Sequence, residues 1–166
     1  MSTDNVSGTS GLFSVYLGMN AKIYVGGQEF ANVKDVTMNF SRSTADVTTR
    51  ANDGWRANVG TLREATASFQ MVKYQDNTGD NTNNDAETIL SAFLGRGGSD
   101  LLPVAILDAA PNAGGEGVYG YWSVTSCNRS EALEDAITYD VELSLTKFVG
   151  WYPTDTDGAG NFIPTT

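Results

Sequence analysis

Histidine is absent from this 166-residue chain, and cysteine occurs once, as Cys127. The chain therefore lacks the commonest general base and the commonest nitrogen ligand for metals. One cysteine cannot form a disulfide within the chain or make a zinc site by itself. Ser10, Ser14 and Cys127 have no histidine that could activate them as nucleophiles. These absences predict a protein that is not an enzyme and that holds no metal and no cofactor.

Positive charge is also scarce, since ten Lys and Arg face twenty Asp and Glu, for a net charge of -10. Binding to nucleic acid depends on cations that displace counterions from phosphates, so we expect no tight binding of DNA. DNA that only slides past is compatible with such a surface. Residues 1–18 lack the basic start and apolar run of a signal peptide. We expect a soluble protein that is assembled in a reducing cytoplasm.

Alternation of apolar and polar residues is the dominant pattern, and its period of two predicts half-buried strands. It appears three times, in residues 36–40, 65–71 and 137–145. A single helix is predicted near residues 85–95, with Asn84 as its N-cap. Its apolar stripe comprises Ala86, Ile89, Leu90, Phe93 and Leu94. The fold class is therefore mainly β, a sandwich or barrel-like structure with one short α-helix.

The length fits a single domain that spans residues 1–166. Residues 1–19 are rich in Ser, Thr and Gly and are predicted to form a flexible N-terminal arm. Residues 20–149 form the β core, and residues 150–166 are predicted to form a flexible C-terminal arm.

A long polar connection interrupts the strands at residues 43–61. Connections of this length are uncommon in a small domain and are usually functional or disordered. It contains the turn triplet Asn-Asp-Gly and an aromatic side chain that gains little unless something covers it. The charged side chains and the aromatic side chain of this connection are Asp46, Arg50, Asp53, Trp55 and Arg56.

The polar positions of the predicted strands carry only acidic charge, from Asp35, Glu64, Asp140 and Glu142. Lys34, Arg63 and Lys147 fall on the opposite parity or at strand ends. An ordinary solvated face explains any one strand, but the bias recurs over three strands. If these faces line a channel, that channel is electronegative.

Two further motifs are weak. Residues 115–120 match the spacing G-x-G-x-x-G, but the dinucleotide fingerprint needs a helix after it and a β-rich segment follows here. Residues 155–161 resemble a calcium loop that lacks its final bidentate acid. Together with Tyr119, Tyr121 and Trp122, this acidic tail leaves open a carbohydrate- or calcium-binding β-sandwich as the least favoured alternative.

Two segments carry a family resemblance. Residues 36–56 read Val-Thr-Met-Asn-Phe-Ser-Arg-Ser-Thr-Ala-Asp-Val-Thr-Thr-Arg-Ala-Asn-Asp-Gly-Trp-Arg, and residues 62–72 read Leu-Arg-Glu-Ala-Thr-Ala-Ser-Phe-Gln-Met-Val. A strand, an Asp-Val-Thr-Thr-Arg-like stretch, an Asn-Asp-Gly-Trp turn and a second alternating strand resemble the major tail tube proteins of long-tailed bacteriophages. Tubes of tailocins and gene transfer agents are similar. The match covers about residues 21–73.

The resemblance implies a subunit of a virion tail, in which hexameric rings stack into a tube that conducts DNA into the host. Four strands of each copy would line the lumen, and the loop and arms would contact neighbouring copies. The resemblance thus implies inter-subunit contacts through Asp46, Arg50, Asp53 and Arg56 as polar pairs and through Trp55 as a buried anchor. Implied partners are the tape measure protein and the terminator and baseplate proteins. A tube protein of a contractile injection or type VI secretion system shares this plan and remains an alternative.

Overall fold

The computed structural model describes residues 6–7, 14–15, 18–73, 85–96 and 100–164. The described strands are β1 (Val6–Ser7), β2 (Ser14–Val15), β3 (Lys22–Val25), β4 (Gln28–Glu29), β5 (Val33–Asp46), β6 (Asn58–Val72), β7 (Leu101–Leu107), β8 (Gly117–Ser130) and β9 (Thr138–Tyr152). Among these residues there is one α-helix, α1 (Asp85–Phe93). The prediction of a mainly β fold with one short helix is confirmed. Asn84 and most of the predicted N-terminal arm lie outside the described residues.

Seven strands form one antiparallel sheet in the order β4-β3-β7-β8-β9-β6-β5. Strands β8 and β9 are long, and they connect two halves of this sheet. Residues 117–123 of β8 pair with β7, whereas residues 138–144 of β9 pair with β6. The register between β8 and β9 shifts at three points, and such bulges bend a strand pair.

One core lies between the two halves. The buried side chains that share it come from both halves of the sheet and from α1: Ile23, Val25, Phe30, Ala65, Ala67, Phe69, Met71, Ile89, Ala92, Leu102, Val104, Ile106, Val118, Trp122, Tyr139, Val141 and Leu143. The alternation predicted for β6 and β9 supplies Ala65 to Met71 and Tyr139 to Leu143, so these two strands were placed correctly from sequence.

The helix α1 packs against β8 on a narrower stripe than predicted. Ile89 and Ala92 are buried, but Leu90, Phe93 and Leu94 are exposed in the subunit. The helix ends at Phe93. Its buried residues are Asp85, Ile89 and Ala92, which lie at positions i, i+4 and i+7. The predicted five-residue stripe is therefore wrong for its last three members. Burial of the Asp85 carboxyl raises its pKa.

The predicted loose C-terminal arm is also corrected for its described part. Strand β9 continues to Tyr152, and the following segment lies on the outer face of β3, β7 and β8. Its residues Ala159, Phe162 and Ile163 are buried there, against Tyr24, Ala105, Leu107 and Tyr119. The Tyr119 hydroxyl donates a hydrogen bond to the backbone oxygen of Asp155. The apolar residues of this segment occur singly or as one pair between glycines and prolines. They form no periodic pattern, and for this reason the sequence did not predict their burial.

The long connection predicted at residues 43–61 is shorter in the structure. Strand β5 extends to Asp46 and β6 begins at Asn58, so the connection covers residues 47–57 only. Residues 43–46 are exposed on both faces, and so are most of residues 58–61. A strand that is buried on neither face has no reason to alternate in polarity, and this explains the error.

Gly115 and Gly117 have a packing role. A Cβ atom on Gly117 would collide with the backbone of Ile106, and one on Gly115 would collide with the backbone of Ala109. The first two glycines of the G-x-G-x-x-G spacing therefore permit close approach of the backbone where β7 turns into β8, which is the role of a glycine turn.

Candidate assembly surface

The β5–β6 hairpin projects beyond the rest of the sheet. Strand β6 pairs with β9 from Thr66 to Val72, whereas residues 58–65 pair with β5 alone. Residues 42–63 therefore form a two-stranded ribbon, which we call the distal ribbon. A two-stranded hairpin is marginally stable by itself in water and usually needs a third strand or a packed face.

The tip of the distal ribbon, residues 47–57, has an ordered hydrogen-bond pattern. The Val47 amide donates to Ala57 O at 2.9 Å, and the Ala57 amide donates to Thr48 Oγ1 at 2.9 Å. Asp46 accepts hydrogen bonds from the Thr48 hydroxyl and from the Thr48 amide. These two hydrogen bonds hold the pKa of the Asp46 carboxyl below its usual value, and the bond from the hydroxyl has the larger effect. A left-handed pair, Asp53 (φ 47°) and Gly54 (φ 81°), then turns the chain.

Trp55 follows this turn and is 80% exposed. Its amide donates to Asn52 O at 2.8 Å, so the backbone is fixed while the indole faces solvent. Arg50 is exposed as well, and Arg56 Nε lies 3.9 Å from Asp46 Oδ2, a long ion pair. Asp46, Arg50, Asp53, Trp55 and Arg56, all predicted as contact residues, thus lie at or beside one ribbon tip.

A polar face covers the four strands β8, β9, β6 and β5. Glu142 is in register with Ser68 of β6 and with Ser126 of β8, and Asp140 is in register with Gln70. The Gln70 amide Nε2 donates to Asp140 Oδ1 at 2.8 Å. The members of this face are Thr37, Asn39, Ser41, Glu64, Thr66, Ser68, Gln70, Ser126, Asn128, Asp140, Glu142 and Ser144. Glu64, Asp140 and Glu142 therefore share one surface.

Asp35 does not share the register of the other three acidic residues. The pairing of β5 with β6 shifts between Lys34 and Thr37, and Asp35 has φ 56° within this bulge. Lys34 stands opposite Gln70 as a result. The expectation that no cation falls on the polar positions is therefore wrong at this end of β5, because a bulge inserts a residue and reverses the parity beyond it.

Two edges of this four-stranded part have no strand partner among the described residues. Strand β5 is the last strand of the sheet. Residues 124–130 of β8 extend past β7, whose pairing ends where Leu101 meets Ser123. The polar face is thus bounded on both sides by open strand edges.

The aromatic residues behind the carbohydrate-binding alternative do not form an open platform. Trp122 and Tyr119 are fully buried. Tyr121 is half-buried, and its ring stands edge-on to Phe162 with 5.2 Å between the centroids. A sugar ring would need an exposed aromatic face, so this surface does not favour that alternative.

No group of three His, Cys, Asp or Glu side chains within the described ranges is placed to hold a metal ion. No α-helix in the described part of the chain is long and apolar enough to cross a membrane. An open cavity of about 340 Å³ lies beside the C-terminal segment, and it is lined by Pro111, Asn112, Tyr152, Thr156, Ala159, Gly160, Ile163 and Pro164. None of these lining side chains is Asp, Glu, Lys, Arg, His or Cys.

Two features of this surface were missed by sequence reasoning. Arg42 and Arg63 stand opposite each other in the distal ribbon and add to its positive charge. Leu133, at the turn between β8 and β9, is fully exposed. The available signal was a leucine flanked by the acidic residues Glu131, Glu134 and Asp135.

Solved structures of tube proteins share this fold. A chain from the tail of an empty gene transfer agent particle, refined helically with C6 symmetry, is 19% identical at a TM-score of 0.59, over 82% of this chain and 100% of that chain. The SPP1 tail tube is 12% identical at a TM-score of 0.57, over 81% and 78%. A chain of the sheath–tube complex of the PVC extracellular contractile injection system is 14% identical at 0.55, over 90% and 97%.

No protein-family model matches the sequence, and no curated protein matches it. The likeness is therefore one of structure at low identity. The fold of this chain agrees with these tube structures over most of its length, as the TM-scores of 0.55 to 0.59 indicate. The chain has the tail tube fold.

Proposed function

We propose that this chain is the major subunit of a virion tail tube, in which hexameric rings stack around a channel that conducts DNA. The observation that supports this proposal is the polar four-stranded face, which has an open strand edge on each side. Pairing of β5 in one copy with residues 124–130 of β8 in the next would continue the sheet around a ring. Closure of a ring removes the exposed edges that otherwise invite aggregation. The C6 symmetry of the similar gene transfer agent tail supports a hexamer.

In such a ring the polar face lines the lumen. Glu64, Asp140 and Glu142 then repeat around the channel, and Asp35 lies near its rim beside Lys34. Like charge disfavours adsorption of DNA, so these acidic side chains let the duplex pass without sticking. In the part of β6 and β9 that carries this polar face, the apolar side chains from Ala65 to Met71 and from Tyr139 to Leu143 face the core.

The distal ribbon contributes contacts between copies. Asp46, Arg50, Asp53 and Arg56 would form directional polar pairs there. Trp55 has the size and exposure of an interface anchor that becomes buried on assembly. The tape measure protein would occupy the lumen during assembly in the host cytoplasm, and terminator and baseplate proteins would bind the two ends of the tube.

A second candidate is the tube of a contractile injection or type VI secretion system. The likeness to a sheath–tube complex favours it. A contractile tube must bind a sheath on its outer surface, so a sheath gene beside this gene would support that candidate and its absence would support a non-contractile tail.

Electron microscopy of the purified chain tests the proposal. Hollow tubes or six-fold rings, formed as protein concentration rises, are expected. A chain that stays monomeric in every assembly condition would contradict the proposal.

Reversal of charge in the lumen tests the polar face separately. The variant with Asp140→Lys and Glu142→Lys should still form tubes, but particles that carry it should eject DNA more slowly because the channel now binds phosphate. A matched control reverses the exposed acids Glu87 and Asp100, which lie outside the polar face. Equal rates of DNA ejection from particles with either variant would show that the polar face does not line the lumen.

A further inference from the structure

The two most exposed large hydrophobic side chains among the described residues are Leu133 and Trp55. They lie at opposite ends of the same strands. Strand β6 runs from the ribbon tip at Asn58 to Val72, and Val72 pairs with Thr138 beside the turn that carries Leu133. The fifteen residues of β6 span roughly 45 Å, so the tip and the turn of one copy do not meet.

Charge differs between these two ends. The distal ribbon contains four of the ten basic residues of the chain, Arg42, Arg50, Arg56 and Arg63, with only two acids, Asp46 and Asp53. It is therefore a positive region in a strongly negative protein. The β8–β9 turn, residues 131–137, carries Glu131, Glu134 and Asp135 around Leu133.

The charged side chains near the turn differ in whether they already have an ion pair or a hydrogen bond within the subunit. Arg129 forms an ion pair with Glu131, and the Asp135 carboxylate accepts the Ala136 amide at 2.7 Å. Glu134 is exposed, and no ion pair is found for it within the described residues. Lys73, at the end of β6, is the exposed cation on the adjoining strand. Glu134 and Leu133 are therefore the side chains best placed to receive a basic, aromatic partner.

We propose that the tip of the distal ribbon in one copy docks on the β8–β9 turn of a copy in the next ring, with Arg50 and Arg56 facing Glu134 and Trp55 packing on Leu133. This pairing rests on the proposed tube function and names the surface that the tip contacts. It joins unlike surfaces head to tail, and such contacts do not close on themselves but extend into filaments. Complementary charge would also set the direction of stacking.

A charge-swap experiment tests the pairing. Arg50→Glu with Arg56→Glu should leave rings intact and raise the critical concentration for tubes by about tenfold or more, because like charges now face each other. Glu131→Lys with Glu134→Lys should do the same. All four substitutions together should restore tubes, since the charges are exchanged. Lys73→Glu is the matched control at the turn end, and it should leave tube formation unchanged or strengthen it.

Ring formation and tube length are measured separately, by light scattering and by electron microscopy. Wild-type protein that forms neither rings nor tubes contradicts the tube function itself. Tubes of normal length from both reversed variants contradict only the pairing. Two defects that the fourfold variant does not rescue show that each end stacks on some other surface, which also overturns the pairing.

A crosslinking experiment tests the pairing without substitution of any of the proposed contact residues. Ala51→Cys and Ala132→Cys are introduced together in a Cys127→Ser background and treated with a short bismaleimide. A ladder of covalent multimers is expected from the double variant, and none from either single variant. Absence of the ladder in microscopically confirmed tubes would place the tip and the turn far apart and overturn the pairing.

Discussion

The two halves of the sheet differ in how they are covered. In the half built from β3, β7 and the start of β8, one face packs into the shared core and the other lies under the C-terminal segment. In the half built from β5 and β6, one face is polar and exposed, and the distal ribbon is exposed on both faces. The first half is covered on both faces within one chain, whereas the second half leaves a strand edge and large apolar side chains exposed in the subunit.

Two of the three tryptophans, Trp122 and Trp55, show this difference in one residue type. Trp122 is fully buried beneath the first half, and Trp55 is 80% exposed at the ribbon tip. Substitutions in the covered half should therefore change the stability of the isolated subunit. Substitutions in the distal ribbon should change assembly.

The largest loss of stability is expected from Trp122→Ala. Removal of a fully buried aromatic side chain leaves a cavity that the surrounding strands fill only in part, and it costs about 3–5 kcal/mol of unfolding free energy. Urea denaturation of the monomeric subunit measures this. A loss below about 1 kcal/mol would mean that the first half is not the stable part of the molecule.

A somewhat smaller loss is expected from Phe162→Ala. Phe162 is buried against Tyr119 at a centroid distance of 5.3 Å, so its removal uncovers the outer face of the first half. We expect a loss of about 3 kcal/mol and faster proteolysis near the C-terminus. Thr154→Ala is a control in the same segment, because its side chain is exposed. Equal proteolysis of both variants would show that this segment covers nothing.

The strands were predictable from sequence where burial is one-sided, and not elsewhere. Phe69 and Met71 alternate with polar residues because one face of β6 is in the core and the other in water. Residues 43–46 also belong to a strand but show no alternation, since water covers both faces. The bulge at Asp35 was not predictable either, because a single inserted residue leaves no periodic signature.

The proposed contact residues were selected for a different reason. A tryptophan in a polar connection is costly to leave uncovered, and together with the family resemblance this predicted Trp55 and its neighbours as contact residues, which stays a prediction. Arg63 was assigned only a strand position, because its relation to Arg42 depends on register. The position of Leu133 could not be predicted, because only the pairing of the strands shows that Leu133 and the ribbon tip lie at opposite ends of the sheet.

Tyr119→Phe should cost about 1 kcal/mol, since it removes one hydroxyl that donates to the Asp155 backbone oxygen. It should also change the alkaline pH dependence of stability. Burial, and then the nearby Asp155 and Asp157 carboxylates, raise the pKa of Tyr119 above 10. A raised pKa means that folding favours the protonated form, so wild-type stability is retained below pH 10 and falls as pH rises further.

The Tyr119→Phe variant should lose part of this alkaline slope. Two other groups with raised pKa values contribute to the rest of the slope: Tyr24, through burial and Glu29, and Cys127, through burial. Unfolding free energies measured at pH 9 and at pH 11 provide the comparison. An unchanged slope in the variant would show that the Tyr119 hydroxyl does not keep its proton in the folded subunit.

Trp55→Ala should have the smallest effect on the subunit and a large effect on the assembly. The indole makes few contacts within one chain, so the unfolding free energy should change by less than about 0.5 kcal/mol. Tube formation should be lost or shifted to much higher concentration, because aromatic anchors dominate interface energies. Denaturation and electron microscopy on the same preparation separate the two effects. If Trp55→Ala unfolds the monomer, the distal ribbon belongs to the stable core, and the contrast between the two halves does not hold.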